Sequence, residues 1–232
     1  MRFSIVVPVC NEAGNVRLVL EEIRRAMAGR VAWEVICVDD GSTDGTAAQL
    51  QSVRPAYPFL RILRHARRRG QSSALLTGVR AAKAPWIVTL DGDGQNDPAD
   101  VPMLIERLAD ERATGEALML VGLRTRRCDS LLKRLSSRVA NAVRSRLLRD
   151  QTPDTGCGIK LFAREAFLSL PAFDHMHRFL PALMQRCGGE VHSVPVNHRP
   201  RRSGESKYGV GNRLWVGIAD MIGVMWLQRR RI

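Results

Sequence analysis

Residues 86–97 read WIVTLDGDGQND, so that mostly apolar residues run straight into Asp91, Asp93, Gln95 and Asp97. Carboxylates this close repel one another, and the cluster therefore calls for a positive counterpart. A calcium loop of the EF-hand type fails on spacing, because Asn96 stands at the sixth position where Gly is needed and Pro102 at the twelfth where Glu is needed. A divalent cation held by one or two carboxylates and shared with a diphosphate fits better, since Mg2+ keeps several waters and completes its shell with substrate phosphates. A plain polar turn is the alternative.

A second acidic run, VDDGSTDGT (38–46), places Asp39 and Asp40 together. Capping of a following helix by Ser42, Thr43 or Asp44 explains part of it, but not both Asp39 and Asp40. A carboxylate here can accept hydrogen bonds from a nucleobase or ribose. No G-x-x-x-x-G-K-[ST] loop and no G-x-G-x-x-G after a strand is present, which argues against an ATPase and a dinucleotide-dependent reductase. Basic residues cluster in RHARRRG (64–70), GLRTRR (122–127), LLKRLSSR (131–138) and HRPRRSGESK (198–207). Arg67 and Arg68 read as a solvated face, whereas the last cluster reads as a flexible loop able to fold over phosphates. HMHRFLPAL (175–183) has H-x-H spacing without the further ligands a zinc site needs; it caps a helix or lines a lipid entrance.

The elements that must position these groups alternate. Short apolar runs at 3–9, 33–39, 60–64, 86–90, 118–122 and 190–196 read as strands, and 14–28, 44–53, 71–83, 99–112 and 130–148 as helices. Such alternation implies an α/β fold with a mainly parallel sheet covered on both faces. These sheets bind ligands outside the carboxyl ends of their strands, so both acidic clusters face one crevice. Residues 150–158 and 197–212 read as loops.

The 232 residues suffice for one sizeable core. A net charge of +13 implies an anionic partner: nucleic acid, a membrane face or phosphorylated ligands. With 5% aromatic residues and no nucleic-acid signature, nucleic acid is not expected. Five cysteines, an odd number without C-x-x-C spacing, fit a reducing cytoplasm rather than disulfides or zinc. The apolar N-terminal stretch is too short for a signal peptide and reads as a first strand, and no run of 18 apolar residues predicts a spanning helix. Near the C-terminus Leu214, Trp215, Ile218, Met221, Ile222, Met225 and Trp226 form one apolar stripe between Arg213 and Arg229–Arg231. That pattern suits either an in-plane membrane helix on anionic lipid or an ordinary core helix.

SIVVPVCNE, VDDGSTDGT, LDGDGQNDP, VGLR, KRLSSRVAN, DTGCGIKLF, MHRFLPAL and RRSGESKYG follow one another in this order. The ordered set resembles the family 2 glycosyltransferases, specifically the dolichyl- and polyprenyl-phosphate mannosyl- or glucosyltransferase branch, over residues 3–229. The resemblance implies a GT-A nucleotide-sugar-binding fold over 1–210, with a C-terminal amphipathic helix over 211–232. It implies inverting transfer of a hexose from a GDP-mannose or UDP-glucose type donor to a polyprenyl phosphate, with Mg2+ or Mn2+. Asp91, Asp93 and Gln95 match the metal and donor motif. Pro8, Cys10, Glu12, Asp39 and Asp40 border the nucleotide, with Cys10 where the family usually has Tyr. Arg124 matches an arginine of the acceptor-phosphate pocket, completed by Lys133 or Arg134 with Ser137. Arg201, Ser206 and Lys207 match a loop that closes over the donor phosphates. RRRGQSS departs from the commoner Asn-x-Gly-x-Gly form. Many relatives carry transmembrane helices after this domain, so the short chain is expected to be cytoplasmic and peripheral, on the inner face of the membrane. A GT-A enzyme with another lipid or polysaccharide acceptor and a non-catalytic nucleotide-sugar-binding protein are the alternatives.

Overall fold

A computed structural model describes residues 3–30, 32–111, 118–125, 144–150, 152–200 and 210–230; the side chains of 111 and 210–215 lie outside that description. Lys133, Arg134, Ser137, Arg201, Ser206 and Lys207 fall outside the described residues, as does most of the helix expected over 130–148, of which 144–148 are helical. The strands are β1 (Phe3–Val9), β2 (Trp33–Asp39), β3 (Leu60–Arg64), β4 (Trp86–Thr89), β5 (Leu118–Arg124), β6 (Lys160–Ala163) and β7 (Glu190–Val196). The helices are α1 (Val16–Ala26), α2 (Thr46–Val53), α3 (Gln71–Ala81), α4 (Val101–Glu111), α5 (Arg164–Leu168), α6 (Leu180–Arg186) and α7 (Val210–Arg229).

The local patterns explain these elements. In β1 the side chains of Phe3, Ile5, Val7 and Val9 join one core and that of Val6 the opposite one, so the strand is apolar on both faces, as a central parallel strand must be. In α1 the buried residues Val16, Val19, Leu20 and Ile23 recur at i, i+3, i+4 and i+7, leaving the charged residues outward. Helices α1, α2 and α4 cover one sheet face, and α3, α5, α6 and α7 the other.

The sheet order is β3-β2-β1-β4-β6-β5-β7. Strands β3, β2, β1 and β4 are parallel, and β7 is parallel to β5. The chain steps outward from β1 through β2 to β3, then returns to β4 on the other side of β1. The order thus reverses beside β1, which opens a crevice at the carboxyl ends there. Strand β6, absent from the sequence expectation, runs antiparallel to both β4 and β5. Its reversed direction puts its first residue, Lys160, beside Thr89 at the end of β4, and so at the rim of that crevice.

The C-terminal stripe does not face one way. Val224 is fully buried, and Met221, Met225 and Leu227 pack on the core beside it. Ile222 and Trp226 are 60% and 57% exposed, and the Arg230 guanidinium lies 5.3 Å from the Trp226 ring centre. Helix α7 is therefore a packed helix with an uncovered apolar side. Among the described residues no helix is long and apolar enough to cross a membrane.

Candidate active site

The turn after β4 is built by its own side chains. The Asn96 amide oxygen accepts from the Asp91 N–H at 2.8 Å, and Asp93 Oδ1 accepts from the Gln95 N–H at 3.1 Å. Gly92 sits where a Cβ would lie 2.5 Å from Val9 Cγ1, which presses the turn onto the end of β1. Arg199 closes the far side: its guanidinium meets Asp97 at 2.6 Å and Glu22 at 2.8 Å, and its N–H donates to the Gln95 carbonyl at 3.0 Å.

Asp91 is the focus of the site. The Gln71 amide donates to its Oδ1 at 2.8 Å from the first turn of α3. On the other side the backbone of Gly158 comes so close that a Cβ there would lie 2.2 Å from Asp91 Oδ2 and 2.4 Å from Asn96 Oδ1. Burial, and next the negative charge of Asp93, push the Asp91 carboxyl up to about 6, while Lys160, Arg124 and the Gln71 hydrogen bond pull it back. Lys160 is itself buried, with its ammonium donating to the Cys157 carbonyl oxygen, and burial lowers its pKa. Arg124, at the end of β5, makes a two-pronged ion pair with the buried Asp154.

Two carboxylates and an amide are hard oxygen donors of the kind Mg2+ and Mn2+ take. Burial first, and then the charge of Asp93, disfavours the ionised Asp91, and a cation beside the pair would offset both. The residues present therefore fit a dication held by Asp91, Asp93 and Gln95. Among the described residues no cluster of three or more His, Cys, Asp or Glu side chains is suited to a metal.

The loops after β1 and β2 are stitched into one rim. The Asn11 N–H donates to Ser42 Oγ, the Glu12 N–H to Thr46 Oγ1 and the Ala13 N–H to Asp44. Pro8 and Cys10 are half-buried here and Glu12 is buried, accepting from Asn15 at 2.7 Å. Asp39 and Asp40 behave differently. Asp40 is committed to the β3–α3 loop, accepting from Arg69 N–H, Gly70 N–H and His65 Nδ1, each at 2.8 Å. Asp39 Oδ1 accepts from Ser42 N–H, whereas its buried Oδ2 has no hydrogen-bond partner, the Arg64 guanidinium lying 3.2 Å away outside hydrogen-bonding geometry. That orphaned acceptor suits a ligand N–H or O–H.

The structure thus brings Asp91, Asp93, Gln95 and Arg124 to one rim, with Pro8, Cys10, Glu12, Asp39 and Asp40 on the adjoining one. It adds Gln71, Asp154 and Lys160, which sequence reasoning passed over as site residues. The H-x-H pair lies in the turn Met176–Arg178 and just before it: His175, with φ 62°, bonds Asp220 of α7 at 3.0 Å, and His177 bonds Ser72 of α3 at 2.7 Å.

The Glycosyl transferase family 2 model matches residues 4–170. The chain belongs to that family. It is 35% identical over 234 residues to the dodecaprenyl-phosphate galacturonate synthase of Rhizobium johnstonii, covering 99% of this chain and 68% of that protein. It is 31% identical over 214 residues to the undecaprenyl-phosphate 4-deoxy-4-formamido-L-arabinose transferase of Edwardsiella ictaluri, covering 89% of this chain and 63% of that protein. The glycosyltransferase chain thus spans about two thirds of the length of these relatives. Among solved structures, glucosyl-3-phosphoglycerate synthase of Mycobacterium tuberculosis, bound to Mn2+, UDP and glucosyl-3-phosphoglycerate, superposes with a TM-score of 0.72 at 21% identity, covering 98% of this chain and 79% of that one. The fold is of the GT-A type, as the resemblance implied.

Proposed function

We propose that this family 2 glycosyltransferase moves a sugar from a nucleoside diphosphate donor to the phosphate of a polyprenyl lipid, inverting the anomeric carbon. The observation that carries the reading is Asp91: a half-buried carboxylate beside Asp93, at the mouth of the switch-point crevice, with Lys160 and Arg124 within electrostatic reach. The names of the curated relatives, synthases and transferases acting on dodecaprenyl and undecaprenyl phosphate, support the acceptor. The UDP and Mn2+ or Mg2+ bound to the structural neighbour support a UDP-linked donor and a dication.

The chain's own groups then have distinct tasks. Asp39 offers Oδ2 to a base or ribose donor, within the rim of Pro8, Cys10, Glu12 and Asp40. Asp91, Asp93 and Gln95 hold the dication, which when bound neutralises the diphosphate. Arg124, oriented by Asp154, takes the acceptor phosphate, aided by Lys133 or Arg134 and Ser137; Arg201, Ser206 and Lys207 serve the donor phosphates. The acceptor is a phosphate monoester with a second pKa of about 6, so its oxygen is already a nucleophile at neutral pH. What the protein supplies is placement and charge balance. The exposed Ile222 and Trp226, with Arg229 and Arg230 beside them, form a docking side for the anionic inner face of the membrane.

The test is transfer of label from UDP-glucose, UDP-galacturonate, UDP-4-deoxy-4-formamido-arabinose or GDP-mannose to undecaprenyl phosphate, with Mn2+ or with chelator. Metal-dependent labelling of the lipid by one donor supports the reading. Labelling of none, with no thermal shift by any of the donors, overturns it.

A further inference from the structure

His177 bonds Ser72, the residue after the Gln71 that holds Asp91, and the reading above assigns it nothing. Its ring is fixed by Ser72, the second residue of α3 and the neighbour of Gln71, which holds Asp91. Ser72 Oγ accepts from the His177 backbone N–H at 3.2 Å and lies 2.7 Å from His177 Nδ1. With the oxygen already accepting, the arrangement that gives the hydroxyl proton an acceptor has Ser72 donating to Nδ1. The imidazole is then the neutral tautomer with its proton on Nε2, and Nε2–H has no partner among the described residues.

We propose that His177 is a specificity-determining residue of the donor site, giving its Nε2–H to a hydroxyl of the transferred sugar. The assignment rests on the nucleotide-sugar reading of the crevice. A hydroxyl, rather than a phosphate oxygen, is the ligand because the two Ser72 contacts fix the neutral tautomer with its proton on Nε2, and burial lowers the pKa of the ring in the same sense. An anionic oxygen at this position would favour the opposite protonation. The reading above already gives the diphosphate a dication and the acceptor phosphate Arg124, whereas it assigns no group to the hydroxyls of the sugar. A neutral, tautomer-locked donor suits that part of the ligand.

The test compares wild type, His177→Asn and His177→Gln by calorimetric binding of UDP and of UDP-glucose, UDP-galacturonate and UDP-4-deoxy-4-formamido-arabinose, with Mn2+. Asparagine can keep the Ser72 contact but has no group at Nε2, whereas the glutamine amide reaches that position. The expected result is that His177→Asn binds UDP within twofold of wild type, loses about fivefold or more of the extra affinity the sugar confers, and that His177→Gln recovers much of it. An unchanged sugar increment in His177→Asn overturns the assignment, and so does a parallel loss of UDP, which marks a merely structural histidine. If wild type binds no UDP and no UDP-sugar, the nucleotide-sugar reading itself fails and the assignment falls with it.

Discussion

Arg124 grips Asp154 with two prongs, Nε to Oδ2 at 2.7 Å and Nη2 to Oδ1 at 2.8 Å, and the carboxylate is buried. The arginine proposed to meet the acceptor phosphate is thus aimed by a partner from the loop before β6. Removing one member of such a pair leaves a buried charge uncompensated. Asp154→Ala should lower stability by about 3 kcal/mol, seen as a lower urea midpoint. Arg124→Ala should raise the acceptor KM while leaving UDP affinity intact; loss of UDP binding with unchanged acceptor kinetics would contradict the role given to Arg124.

Gly158 lies against the acidic turn after β4 with no room for a side chain. Gly158→Ala would force its methyl into Asp91 Oδ2 and Asn96 Oδ1, and those two groups set the shape of the turn. The expected result is at least a tenfold loss of Mn2+-supported UDP binding, read by calorimetry, with a smaller change in thermal stability than in ligand affinity.

The pKa of Asp91 ties stability to pH in a definite direction. Its value in the fold, about 6, lies above the ordinary 3.8, so the native state holds a proton that the unfolded chain releases. The metal-free fold therefore loses stability as pH rises from about 4 through 6. Asp91→Asn removes that loss and should be more stable than wild type at pH 7, without metal, by about 1–2 kcal/mol. It should also lose the thermal shift that Mn2+ gives wild type above pH 6. A lower melting temperature for the metal-free variant would refute the account.

Asp40 holds three donors of the β3–α3 loop, which leads directly into Gln71. Asp40→Ala leaves those donors unmatched and should cost about 2–4 kcal/mol. Slack in this loop reaches Asp91 through the Gln71 amide, so Mn2+ affinity should fall as well. Urea unfolding and Mn2+ titration of one preparation measure both.

The two sides of α7 should separate cleanly. Val224→Ala opens a hole in the core and should cost about 1–2 kcal/mol. Trp226→Glu and Ile222→Glu should leave stability nearly unchanged but abolish flotation with anionic phosphatidylglycerol vesicles. Flotation by the double variant equal to wild type would remove the membrane role from this side of the helix.

Much of this architecture was legible in the sequence because its signals are local. The apolar runs at 3–9, 33–39, 60–64 and 190–196 coincide with strands β1, β2, β3 and β7, and the acidic turns follow β2 and β4 as read. Strand β6 was missed because KLFA is four residues long and nearly all buried, so it shows no alternation. Its direction depends on pairing with two distant strands. The site residues divide the same way. Asp91, Asp93 and Gln95 stand within five residues of one another, while Gln71, Asp154 and Lys160 join them only through the fold. The C-terminal stripe was seen, but its two-sidedness was not, because helical spacing reveals an apolar arc and not which part of it the core covers.

Asp220 ties the inward side of α7 to His175, two residues before His177. The helix proposed to meet the lipid and the imidazole proposed to read the carbohydrate are thereby joined through the one turn Met176–Arg178. An enzyme resting on a bilayer and the same enzyme dispersed in micelles should then rank competing sugars differently, and breaking that link with Asp220→Ala should erase that difference.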